Sequence, residues 1–97
     1  MDNKERLRSQ LVEYREKISG LEMRSYPSKD GPKMQIILQD SNGNVLNTWE
    51  DDLIRGFRNL RSTDLIEEII KDIFGEDAIL ESELDAFEFR CIIQNKK

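Results

Sequence analysis

Asn42-Gly43 sits between two runs in which apolar side chains alternate, residues 34–38 and 45–49. A two-residue type I′ turn needs positive φ at both central positions, and Asn-Gly meets that need at little steric cost. The pair predicts an antiparallel hairpin over residues 34–49. In the register it implies, Asp40 opposes Val45, Leu38 opposes Asn47 and Ile36 opposes Trp49. Met34, Ile36, Leu38, Val45 and Trp49 then share the core face, while Ile37 and Leu46 partly cover the other.

Helical spacing flanks the hairpin. Leu7, Leu11, Tyr14, Ile18 and Leu21 recur at intervals of four and three, which predicts a helix over residues 3–21 with Gly20 near its end. Glu13 and Lys17 add an i,i+4 pair in the favourable order. Residues 22–33 hold both prolines, Pro27 and Pro32, and read as a loop, because proline fixes φ and biases its predecessor towards extended backbone.

Downstream of the hairpin, Glu50, Asp51 and Asp52 suit the positive end of a helix, with Thr48 as a cap and Leu53, Ile54, Phe57 and Leu60 as the buried stripe of residues 50–61. Ser62-Thr63-Asp64 looks like a fresh N-cap for a second helix over residues 63–74, ended by Gly75. Residues 76–85 fit either a helical turn or a loop. Residues 86–94 alternate and predict a strand.

The order α-β-β-α-α-β makes one α+β domain over residues 1–97. It has an N-terminal helix (1–21), a Pro/Gly loop (22–33), and a sheet with helices (34–94). Three antiparallel strands with the helices on one face, the last strand beside the hairpin, are the simplest closure.

The composition excludes most chemistry. With 97 residues the chain has room for one modest core. It has no histidine, so the commonest general base and metal ligand are missing. Its single cysteine, Cys91, can form neither an internal disulfide nor a multi-cysteine zinc site, and within Phe89-Arg90-Cys91-Ile92-Ile93 it reads as a buried structural thiol. The five glycines are scattered singly, so neither a P-loop nor a dinucleotide fingerprint can be drawn. Asp40-Ser41-Asn42-Gly43-Asn44 resembles part of an EF-hand loop, but its glycine falls at the fourth position where the sixth is required. No apolar run approaches a membrane span, and the charged start Met1-Asp2-Asn3-Lys4-Glu5-Arg6 has no signal-peptide pattern. A soluble cytoplasmic protein without cofactor, metal or enzymatic activity is expected.

Charge distribution is the strongest functional signal. Residues 1–48 hold seven acids and eight bases, and residues 49–97 hold thirteen acids and seven bases. Residues 64–88 hold ten acids against one base, Lys71. Such an excess attracts basic surfaces and makes association salt-dependent. It points to a protein-binding accessory or inhibitor module whose acidic second half meets a basic partner, with Glu67, Glu68, Asp72, Glu76 and Asp77 as the contact residues. By analogy, a nucleic-acid mimic, an immunity protein or a phage-encoded inhibitor needs the same size and acidity. The bland alternative is a solvated surface that keeps the protein soluble.

A second possibility is a homodimeric structural or regulatory protein, with Leu7, Leu11, Tyr14 and Ile18 as a coiled-coil seam, although under three heptads is short for one. Arg55, Arg58 and Arg61 form a row that could grip phosphates, but an acidic domain with one interleaved aromatic, Phe57, argues against nucleic acid. Trp49, on the apolar hairpin face, is expected in the core. Tyr26, in the proline loop, is expected to be exposed.

Overall fold

The computed structural model describes residues 3–52, 63–85 and 88–94. Within them lie two helices, α1 (Asn3–Glu13) and α2 (Thr63–Phe74), and five strands. The strands are β1 (Gly20–Tyr26), β2 (Lys33–Gln39), β3 (Val45–Asp52), β4 (Ile79–Asp85) and β5 (Glu88–Ile93). All strand pairs are antiparallel, in the order β3-β2-β1-β5-β4. The α+β class stands, but the sheet has five strands where the sequence predicts three.

The largest correction is at residues 14–26. Helix α1 stops at Glu13, and the next residues fold through tight turns, with the Arg15 amide on the Val12 carbonyl at 3.3 Å and the Lys17 amide on the Tyr14 carbonyl at 2.9 Å. The sheet then captures the chain. The Ser19 amide donates to the Gln39 carbonyl, and the Ser19 carbonyl accepts from the Ile93 amide, each at 2.9 Å. Gly20 opens a strand instead of closing a helix. Five of the twelve residues expected as a loop, 22–26, belong to β1, the central strand, in which Leu21 and Met23 are buried. Since β1 lies between β2 and β5, the last strand does not pair with the hairpin.

The hairpin forms, but through a different turn. Only Gly43 has positive φ (82°), and Asn42 does not, so the two-residue type I′ turn is absent. The Gly43 amide instead closes a turn on the Asp40 carbonyl at 3.1 Å. The Asp40 carboxylate accepts the amides of Asn42 and Asn44, both at 2.9 Å. Leu38 opposes Asn47 and Ile36 opposes Trp49 as predicted. A register shift between Leu38 and Gln39 places Val45 opposite Gln39 instead of Asp40, and Val45 is left 57% exposed on the uncovered face. Leu46 takes its place against the core. Residues 50–52 belong to β3, and Thr48 is no cap, since its hydroxyl donates to the Ile36 carbonyl at 2.9 Å. Of the helix expected over residues 50–61, residues 53–61, with the arginine row, lie outside the described residues.

Helix α2 spans residues 63–74 as predicted. Gly75, at φ 112°, donates its amide to the Lys71 carbonyl at 2.8 Å and ends the helix. Residues 79–85, left open between helical turn and loop, are an outer strand. Strand β5 alternates exposed and buried as its sequence implies.

Both helices cover one face of the sheet. Leu7 and Leu11 of α1 and Ile66, Ile69 and Ile70 of α2 pack with Leu21, Met23, Met34, Ile36, Leu38, Trp49, Phe89, Cys91 and Ile93 in one cluster. A side chain as thoroughly buried as Leu11 contributes about 1.5–3 kcal/mol. The other face mixes apolar side chains (Ile37, Val45 and Ile92) with charged and polar ones. There Glu22 is bonded to Arg24 at 2.8 Å, with Arg90 at 3.8 Å, and the Tyr26 hydroxyl donates to Glu50.

Candidate interaction surface

The five acids singled out in the sequence do not form one patch. Glu68, Asp72 and Glu76 stand at successive turns, so they line one flank of α2 and its continuation. With Lys4 and Arg8 of α1, Leu65, Ile69 and Lys71 they bound an open groove of about 600 Å³. Arg8 crosses it and binds Asp72 at 2.6 Å. The acids of this flank therefore face the bases of α1.

Glu67 lies on the other flank of α2. It is half-buried, and its carboxylate acts on the buried Cys91 thiol. Burial first, and Glu67 second, push that thiol up to about 11, so Cys91 stays neutral and unreactive near neutral pH.

Asp77 sits in the turn from α2 to β4. The Ala78 amide closes that turn on the Gly75 carbonyl at 3.1 Å, and the Gln94 amide ties it to β5 through the Ala78 carbonyl at 2.6 Å. From here acids outnumber bases, with Arg90 of β5 opposite Glu83 and no base opposite Glu81. Residues 76–85 hold five acids and no base. Glu76, Asp77, Glu81 and Glu83 are exposed, as is Glu88 at the start of β5. None of these five makes an ion pair among the described residues.

Glu81 and Glu83 are absent from the set that the sequence singles out. Opposite Ile92 and Arg90 of β5, they occupy the uncovered face of the sheet. The available signal was the recurrence of acids at 81, 83 and 85, a period of two that marks one face of a strand.

Leu7, Leu11 and Ile18, the proposed seam, are completely buried within the single chain, and Tyr14 packs against the same cluster. This fold uses the stripe in its own core. The Arg6 guanidinium lies 5.3 Å from the centroid of the Trp49 ring, and Trp49 is 5% exposed, as a core position requires.

Neither protein-family models, curated proteins nor solved structures give a match to this chain. Among the described residues no helix is long and apolar enough to cross a membrane.

Proposed function

We propose that this chain is a small non-enzymatic accessory or inhibitor module that presents an acidic surface to a basic surface on a larger protein. The observation that carries this is the exposed acids Asp77, Glu81 and Glu83, continued by Glu88 on the next strand, which make no ion pair among the described residues. In the sequence the acidic region runs from residue 64 to residue 88. In the fold its first part is balanced by α1, so the contact surface moves towards the α2–β4 turn and β4. Glu76 and Asp77 keep their proposed role. Glu68 and Asp72 become secondary, and Glu67 is turned partly inward.

Carboxylates concentrated on one edge raise the encounter rate with a basic partner, and salt weakens that attraction over a Debye length of about 8–10 Å. The test is capture from the native host's extract at low and high salt, with partners identified by mass spectrometry. One dominant basic partner, held at low salt and released at high salt, is the expected result. Capture that is indifferent to salt, or recovery of the bait alone, would overturn the proposal.

A further inference from the structure

We infer that the outer edge of β4 accepts an extended, basic segment of a protein partner as a sixth strand of the sheet. The inference rests on the acidic-surface reading above and gives it a geometry.

Strand β4 is last in the sheet, with β5 on one side and no strand on the other among the described residues. An edge strand presents a row of unpaired backbone N–H and C=O groups, and an extended peptide can complete the ladder. Main-chain bonds then supply affinity, and alternate side chains supply specificity. On β4 the alternate side chains on the uncovered face are Glu81 and Glu83. A strand added beside them sets its own alternate residues directly across, about 4.5–5.5 Å away between Cβ atoms. Lysine or arginine at every second position is the matching pattern.

The charge also disfavours the competing occupant. A second copy pairing through its own β4 would bring acid against acid, and like charges directly opposite one another destabilise a sheet. The opposite edge, β3, also carries acids, Glu50, Asp51 and Asp52, but they are confined to one end of the strand and the Tyr26 hydroxyl already binds Glu50. Leu80, 62% exposed at the irregularity near the start of β4, gives the incoming strand an apolar contact at that end.

The probe is a fluorescein-labelled eight-residue peptide of alternating lysine and threonine, titrated into the full chain at low salt and followed by anisotropy. Two further peptides carry N-methyl groups, one on all lysines and one on all threonines. Methylation removes the N–H donors and leaves the charge, and in a strand only one of the two sets faces the sheet. The expected result is that the parent binds and one methylated peptide matches it. The other should bind at least about tenfold more weakly, the loss expected when two or three backbone hydrogen bonds go. Amides of β4 that were free to exchange should become protected, and Glu81→Gln/Glu83→Gln should weaken the parent.

Equal binding by all three peptides would overturn strand addition and leave the acidic-surface reading standing. If no peptide binds, strand addition also falls, and the capture experiment decides the acidic-surface reading separately. A concentration-dependent dimer that protects β4 without peptide would show that a second copy takes the edge, and would overturn the inference.

Discussion

The acids of α2 and the acids of β4 belong to one continuous run in the sequence and have opposite fates in the fold. Glu68 and Asp72 face Lys4 and Arg8 across a groove, and Arg8 closes on Asp72 at 2.6 Å. Glu81 and Glu83 stand on an outer strand, exposed, and make no ion pair among the described residues. The difference comes from α1, which is held by Leu7 and Leu11 in the core and so carries its bases to one flank of α2 only. A charge run becomes a surface only after the fold has decided which members meet opposite charge.

The largest effect comes from breaking the platform that sets this difference. Leu11 is completely buried, so Leu11→Glu places a carboxylate in the core without a partner. The loss should exceed the ~2–5 kcal/mol typical of Leu→Ala and unfold the chain, as read by urea titration with circular dichroism. A folded protein with an unchanged midpoint would return the stripe to the role of an exposed seam.

Cys91 sharpens the picture on the far flank of α2. Its thiol is raised from 9.0 to about 11, so its contribution to stability is complete below pH 9 and is lost as pH rises through the folded value. Wild type should lose stability relative to Cys91→Ala between about pH 9 and 11. Iodoacetamide at pH 8 should label Cys91 only as fast as the chain opens. Rapid labelling of the native protein would place the thiol at the surface.

The Arg8–Asp72 pair is exposed, with side chains 45% and 65% accessible, so its worth is small. Asp72→Asn should cost no more than about 1 kcal/mol, less in high salt, by the same urea titration. A larger loss would mean that the groove is a stability element rather than a neutralised flank.

The smallest effect is at the hairpin turn, remote from both acid groups. The Asn44 and Asn42 amides hold the Asp40 carboxyl below its usual 3.8. That depressed value gives a contribution present above pH 3.8 and lost as pH falls through the folded value. Asp40→Ala should therefore show a shallower decline in stability than wild type below about pH 4. An identical acid limb in the two proteins would contradict the turn geometry.

Patterns held wherever a single element explained them. Helix α2 and strand β5 follow from their spacing, and Asn42-Gly43 locates the hairpin. The failures have competing physics behind them. Ile18 and Leu21 continue a helical stripe in sequence, but ladder bonds at Ser19 to both Gln39 and Ile93 pull the chain into the sheet. Those partners are about twenty and seventy-four residues away, beyond any local spacing rule. Residues 21–24 alternate as a strand should, yet Pro27 and Pro32 nearby favoured a loop. The bulge that turns Val45 outward depends on which turn Asp40 caps. Of the candidate surface, the excess of acid was legible. Its division between a helix whose acids face α1 and a strand whose exposed acids make no ion pair among the described residues was not, because it depends on where α1 docks.

The most direct test sets the two acid pairs against each other in matched form. Glu81→Gln/Glu83→Gln and Glu68→Gln/Asp72→Asn each remove two charges, and binding of each to the captured basic partner is measured across a salt series. The β4 pair should lose most of the affinity and flatten the salt dependence, while the α2 pair should stay within about a factor of two or three of wild type, as expected of compensated charges. The reverse order, or equal losses from both pairs, would contradict the claim that the fold reserves the outer strand for a partner.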